Sequence, residues 1–309
     1  MAKISQELKK LLEKQHYEFI GEHSAIKICE WTKKSIRNQG VCYKEKFYGI
    51  KSHKCCQMTP AVNFCTNSCI FCWRPIEYGI KELKGKLDDP RELIENAIIA
   101  QKNQLIGFKG SKSANQEKLK QAFQPNQFAI SLSGEPTLYK KLPELIKEIK
   151  RRKATAFLVT NGLQPEAIIK LKEKKALPTN LYISLDAPNE KLFKKIDRSS
   201  TKNAWKKLNK SLSLLKLLKT TTVIRITLIK YLNDTNPEQY AEIIQKTNPN
   251  FVEIKAYMWV GYSQNRLNIK NMPIHKEVKD FTKQILKHLK NYKLKDEKKE
   301  SRVVLLARS

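Results

Sequence analysis

At 309 residues the chain is long enough to bury a sizeable core, as one large α/β domain or two smaller ones. No apolar run approaches the ~18–20 residues that a membrane helix needs, and the polar, charged stretch 1–10 does not read as a secretory signal. The formal charge of +30 points to a polyanionic partner, but 50 of the 60 basic residues are Lys, which also fits a proteome-wide bias.

Ile4, Leu8, Leu11, Leu12 and Phe19 fall on one face of an expected N-terminal helix. Residues 21–56 are polar with interspersed aromatics and carry Cys29, Cys42, Cys55 and Cys56, which reads as an irregular cap organised by what its cysteines bind. A strand–helix alternation starts at about residue 57. Strands are expected at 58–64, 128–133, 155–160, 181–185, 222–229 and 251–257, each a short β-branched or aromatic run. Helices are expected at 91–104, 142–151, 165–173, 204–218 and 237–246. Pro90 stands near the first turn of the first of these, and Trp205, Leu208, Leu212 and Leu215 form an apolar stripe on the fourth. Residues 109–117, rich in Gly, Ser and Lys, read as a mobile surface loop. A helix at 275–289, a Lys-rich solvated loop at 290–300 and a strand at 302–306 close the chain.

Alternating strands and helices imply parallel strands joined by helical crossovers. Six such units are too few for a closed eight-unit barrel. The expected fold is therefore α/β, a partial (β/α)6 TIM-like barrel with an N-terminal cysteine-rich cap. Its expected divisions are 1–56 for the cap, 57–275 for the core and 276–309 for a C-terminal helix and strand packed on that core.

All seven cysteines lie in the first 72 residues. Cys65, Cys69 and Cys72 are spaced C-x3-C-x2-C, with Phe71 before the last, in a loop at the end of the first expected core strand. Chemistry in such folds gathers at the C-terminal strand ends. Three thiolates can hold three irons of a cubane [4Fe–4S] cluster and leave the fourth open. In radical S-adenosylmethionine (SAM) enzymes that iron takes the amino and carboxylate groups of SAM, and one electron then yields methionine and a 5′-deoxyadenosyl radical. A zinc knuckle is the competing reading, but it wants four ligands in a closed tetrahedron, and no fourth Cys or His follows nearby.

Cys29, Cys42 and Cys55, with twelve residues between successive members, suggest a second three-thiolate site, with scattered buried thiols as the alternative. The odd cysteine count argues against a disulfide framework and for a reducing cytoplasm. Later strand ends carry polar groups suited to SAM. Gly134 lets backbone approach a ligand, Glu135 is placed to receive an amino group, and Asn161 and Ser184 are placed for ribose or carboxylate. Each motif alone is ordinary turn chemistry.

The run 63–75 (NFCTNSCIFCWRP), the evenly spaced upstream cysteines, SGEP at 133–136 and EIKAYMWVGYS at 253–263 together resemble the archaeal 4-demethylwyosine synthases. These are radical SAM enzymes of tRNA modification, and the resemblance runs over nearly the whole chain. It implies a radical SAM barrel using SAM and two [4Fe–4S] clusters, the second on Cys29, Cys42 and Cys55, with Cys56 a bystander. It implies phenylalanine tRNA bearing N1-methylguanosine 3′ of the anticodon as substrate. Two carbons of pyruvate join that base and close a third ring, and the pyruvate carboxyl carbon is lost.

Lys44 matches the family lysine proposed to capture pyruvate as a Schiff base, while chelation by the open iron of the upstream cluster is the alternative or its companion. Trp73, Arg74, Tyr257, Trp259 and Tyr262 are candidates to stack on or guide an extruded base, or else are core. Eukaryotic relatives carry a fused flavodoxin-like domain, for which 309 residues leave no room, so an external electron donor and a monomeric cytoplasmic enzyme without membrane attachment are expected. The rivals are another radical SAM enzyme acting on RNA or a small molecule and, from a different class, a non-catalytic zinc-binding RNA-binding module.

Overall fold

The structure, a computed structural model, describes residues 4–309; residues 1–3, where the polar N-terminal stretch begins, lie outside it. The chain groups into two units that interleave along the sequence, unlike the expected divisions after residues 56 and 275. One comprises the residues up to Phe64 with Glu82–Val159 and Lys170–Thr179, the other Cys65–Lys81 with Thr160–Ile169 and Asn180–Ser309.

The first unit opens with the helix Gln6–Lys14, where the Ser5 hydroxyl accepts the Leu8 N–H at 3.2 Å and Leu8 and Leu12 are buried. Phe19 is not on this helix: it lies in β1 (Glu18–Phe19), which pairs antiparallel with β2 (Ala25–Ile26). The expected irregular cap instead holds two short helices, Glu30–Ile36 and Tyr43–Tyr48. Segments of 7 and 6 residues complete barely two turns, too few for an apolar periodicity to show in the sequence.

The first core strand, β3 (Cys55–Thr59), starts and stops earlier than 58–64. Pro60 follows it directly and has no N–H for the ladder. β3 runs antiparallel to β2 and parallel to β4 (Gln127–Ile130), which is parallel to β5 (Thr155–Thr160). Between β3 and β4 the helix Pro90–Leu105 begins on a capping Asp89 carboxylate. Part of the expected loop at 109–117 belongs to a further helix, Gln116–Ala122, whose Leu119 and Ala122 are buried with Ile28, Ile36 and Leu105. The helix Leu142–Arg151 links β4 to β5 as expected, and Pro165–Glu173 follows β5.

In the second unit β6 (Asn180–Ser184), β7 (Thr221–Leu228) and β8 (Phe251–Ala256) are parallel neighbours. The helices Glu190–Asp197 and Ala204–Leu214 precede β7, and Pro237–Thr247 precedes β8. Glu190–Asp197 has no counterpart among the expected helices. On Ala204–Leu214 and the turn after it, Leu208, Leu212 and Leu215 are buried, and Trp205 is half-buried against Phe193. β3 to β8, parallel where paired and separated by helices, have the chain order of a partial (β/α)6 barrel. No helix among the described residues is long and apolar enough to cross a membrane.

After the helix His275–Leu286 the expected solvated loop proves to be a strand, β9 (Tyr292–Lys298), antiparallel to β10 (Val303–Arg308), which pairs in turn with β8. Apart from Tyr292 its side chains are not buried, so no apolar alternation marks it; backbone pairing holds it, with the Tyr292 hydroxyl on the Pro249 carbonyl and Lys279 on Glu297. Lys, Asp and Glu on such a strand also discourage further pairing. Hydrogen exchange checks this directly. The β9 amides bonded to β10 are expected to exchange over minutes or longer, whereas seconds throughout residues 290–300 would restore the loop.

Candidate active site

Cys65, Cys69 and Cys72 lie in a loop of the second unit whose backbone is pinned at several points. The Cys65 N–H donates to the Ile80 carbonyl at 2.8 Å, Ser68 N–H to Asp197 O at 3.0 Å, and Ile70 N–H to Ile196 O at 2.9 Å. The final carbonyls of the helix Glu190–Asp197, which lack partners within the helix, are thus satisfied by the loop. Ile70 is buried with Ile196, Ile229 and Tyr257, and the Arg266 guanidinium donates to the carbonyls of Ile70 and Cys72.

The thiols are half-buried and free of disulfides. Asn67 N–H points at Cys65 Sγ from 3.4 Å, Asn161 Nδ2 lies 3.9 Å from the same sulfur, and the Cys69 thiol donates to Asp197 Oδ1 at 3.3 Å. Burial pushes the Cys69 thiol well above its ordinary value, and Asp197, Cys72 and Cys65 push it further. Among the described residues no three Cys, His, Asp or Glu side chains are gathered as a single ion requires. A cubane asks for a wider arrangement, three thiols each on its own iron. Half-buried, unbridged thiols on a pinned backbone fit that group, and loading it would release their protons.

Asp197 was not marked by any motif, whereas Asp186 closes the run 184–186 at the end of the fourth expected strand. Burial raises Asp186 to about 6 against its hydrogen bonds from Thr227, and burial, reinforced by Asp186, holds Asp197 well above the carboxylate range. Asp197 ends a helix that the sequence pattern did not indicate, so its place beside Cys69 was not legible. Asn161 sits beside the loop, donating to Thr66 Oγ1 at 3.3 Å, and Ser184 ends β6 half-buried.

Of the aromatic candidates, Tyr257 is corrected to core. It is 1% exposed, and its hydroxyl donates to Ser263 Oγ at 2.9 Å, so its ring has no face to offer a base. Trp259 is half-buried, with its indole N–H on the Leu267 carbonyl at 2.9 Å. Trp73 carries the Arg74 guanidinium 4.9 Å over its ring and receives the Tyr262 N–H on its carbonyl at 3.0 Å. Gly261 makes that docking possible: its φ is +58°, and a Cβ there would run into the Trp73 carbonyl oxygen.

In the first unit Cys29 and Cys42 each occupy the position before a helix, Glu30–Ile36 and Tyr43–Tyr48, while Cys55 opens β3. Ser52 ties these elements together. Its hydroxyl accepts the Cys42 N–H at 2.8 Å and donates to Glu45 at 2.5 Å, and its carbonyl accepts the Thr32 hydroxyl at 3.0 Å. Burial raises the Cys55 thiol well above its usual value, Cys29 and Cys42 raise it too, and Lys44 opposes them. Cys29 is raised mainly by burial, against the N–H groups of Trp31 and Thr32 and the charge of Lys44.

The charges of Cys29, Cys42 and Lys44 all act on Cys55, and that of Lys44 acts on Cys29 as well. Lys44 is 8% exposed, with its ammonium 5.1 Å from the centre of the Phe157 ring. Cys56, fully buried and raised to about 12 by burial, is an ordinary core thiol.

Gly134 has φ +68°, and a Cβ there would overlap the Ala61 carbonyl oxygen and stand 2.7 Å from that of Phe64. Glu135 donates its N–H to Phe64 O at 2.6 Å, and its carboxylate accepts the Thr137 N–H at 3.0 Å and hydroxyl at 2.6 Å. One Glu135 oxygen is thus committed to its own turn rather than held for a ligand.

Two sequence families match the chain: the radical SAM superfamily over residues 59–244 and wyosine base formation over residues 246–308. The S-adenosyl-L-methionine-dependent tRNA 4-demethylwyosine synthase of Pyrococcus abyssi is 45% identical over 306 residues, 99% of this chain and 90% of that one. Its counterpart in Methanocaldococcus jannaschii is 40% identical, over 98% of this chain and 96% of that one. A solved structure of TYW1 with a lysine–pyruvate adduct bound superposes with a TM-score of 0.89 at 37% identity, covering 99% of this chain and 96% of that one. Radical SAM chemistry brings SAM and a [4Fe–4S] cluster, and the relatives' shared activity brings a tRNA substrate. Coverage from end to end and both family matches agree, and the chain belongs to the S-adenosyl-L-methionine-dependent tRNA 4-demethylwyosine synthases, within the radical SAM superfamily.

Proposed function

We propose that this enzyme builds the tricyclic base from N1-methylguanosine of phenylalanine tRNA and pyruvate, with Lys44 as the residue that captures pyruvate. The observation that carries this reading is the buried ammonium of Lys44 among Cys29, Cys42 and Cys55. The lysine–pyruvate adduct in the TYW1 structure supports it, because that protein is similar over nearly the whole chain.

In this reading Cys65, Cys69 and Cys72 hold the SAM-binding cluster, and Cys29, Cys42 and Cys55 hold a second [4Fe–4S] cluster. Gly134, Glu135, Asn161 and Ser184 are read as SAM contacts. The bound cofactors supply a radical that removes hydrogen from the N-methyl carbon of the base. Lys44, when neutral, attacks the keto carbon of pyruvate and water leaves, which fixes the three-carbon unit in one orientation. The alternative is chelation of pyruvate by the upstream cluster, with Lys44 contributing charge alone. Trp73, Arg74, Trp259 and Tyr262 remain the proposed contacts to the extruded base. A monomeric chain, an external one-electron donor and a cytoplasmic setting complete the reading.

The direct test incubates the anaerobically reconstituted chain with tRNA bearing N1-methylguanosine, pyruvate, SAM and a reductant, and weighs the nucleosides. A mass for the tricyclic base that depends on pyruvate is expected; its absence with active SAM cleavage would send the substrate reading elsewhere. Alanine at any of Cys65, Cys69 or Cys72 should abolish deoxyadenosine formation, and cleavage at the unaltered rate would remove those residues from the cluster.

The upstream set is tested separately. Alanine at Cys29, Cys42 and Cys55 together should remove about half the iron and all tricyclic product while SAM still binds. Lys44→Ala should retain both clusters and lose orders of magnitude in turnover, and borohydride should trap a pyruvyl adduct on the unaltered chain alone. A modest loss and no adduct would favour chelation.

A further inference from the structure

Arg266 belongs to the segment matched by wyosine base formation, yet its guanidinium reaches the cysteine loop of the radical SAM segment. Its Nε–H donates to the Ile70 carbonyl at 3.2 Å. One terminal nitrogen donates to the carbonyl of Cys72 and lies 3.5 Å from that of Arg74, and the other meets the Glu77 carboxylate at 2.6 Å. Three main-chain carbonyls on either side of Cys72 therefore converge on one planar cation. The Arg266 side chain is 11% exposed, whereas that of Glu77 is 51% exposed. The countercharge is largely in water and screened; the guanidinium is not.

We propose that Arg266 is a positioning residue for the radical chemistry with two linked effects: it fixes the Cys72 end of the loop, and it keeps a positive charge beside a cluster ligand. The inference rests on reading Cys65, Cys69 and Cys72 as the ligands of the SAM-binding cluster. Reducing such a cluster by one electron adds a negative charge, and local charge, hydrogen bonding and exposure set the cost of doing so. A fixed cation in a poorly screened site favours the reduced form, which is the form that donates to SAM. The fork geometry matters separately, because a point charge cannot hold three carbonyls in one plane. Arg266 thus couples the segment distinctive of this family to the ease with which its radical machinery is charged.

The test is a redox titration of the reconstituted full-length chain, followed through the cluster signal that SAM perturbs, with iron measured in parallel. In Arg266→Gln the reduced-to-oxidised ratio at a fixed poise should fall about tenfold, about 59 mV for a one-electron couple. Arg266→Lys, which retains charge without the fork, should titrate near the unaltered protein but release iron faster to a chelator. Glu77→Gln, at an exposed position, should move the ratio the opposite way.

Arg266→Gln with full iron and an unchanged ratio would overturn the proposal, as would equal shifts in the Gln and Lys variants. If Arg266→Gln does not retain its cluster, Glu77→Gln decides, and an unmoved ratio there overturns the electrostatic part. Failure of the ligand reading looks different: the unaltered chain would then show no cluster signal that SAM perturbs.

Discussion

A three-thiolate cluster gives a protein only three bonds with which to hold it, and the loop that supplies them must keep its shape without closing around the fourth iron. In this chain the loop that carries Cys65, Cys69 and Cys72 is fixed chiefly through its main chain. Between Cys65 and Cys72 the backbone is bonded to Ile80, to the end of the helix Glu190–Asp197, and to the side chain of Arg266. Ile70, set between the cysteines, is buried in apolar surroundings and anchors the loop by burial as well as by hydrogen bonds. Apart from Ile80, those partners come from parts of the chain more than a hundred residues away. The loop therefore has no shape of its own to lose or keep; the second unit as a whole confers it.

The same logic runs through the glycines that matter. Gly134 and Gly261 sit at positive φ where a Cβ would strike a carbonyl oxygen of another segment, of Ala61 in one case and Trp73 in the other. Both are places where two pieces of backbone meet without side chains between them, which only glycine permits at these dihedrals. They fix the turn at 133–136 onto the segment before Cys65, and the stretch after β8 onto the segment after Cys72.

Charge is treated in two ways. Most of the Lys-derived excess is on exposed side chains, where it offers a broad field for a tRNA and little contribution to folding. A few ionisable groups are buried: Asp186 and Asp197 near Cys69, and Lys44 near Cys29 and Cys55. Burying these costs stability unless partners compensate, and Asp197 Oδ2 has no hydrogen-bond partner.

Much was legible in the order of residues. The spacing of Cys65, Cys69 and Cys72, the twelve-residue intervals upstream, and the strand–helix alternation are local patterns, and local patterns survive in a one-dimensional reading. So do helices such as Leu142–Arg151, where apolar periodicity and a terminal proline coincide. What failed to show was whatever is held by distant partners. β9 is a strand because β10 lies beside it, despite lysines that read as solvated loop. Tyr257 is core because Ile70, Ile196 and Ile229 close over it, although its motif looked like a recognition surface. Asp197 and Arg266 carry no signature at all, since a carboxylate or guanidinium acquires its role from what it faces. Sequence alone determined the family, because cysteine spacing and short motifs are carried by neighbouring residues along the chain. Tertiary structure decided which charges and rings face those cysteines, because those contacts are made across separations of over a hundred residues in chain.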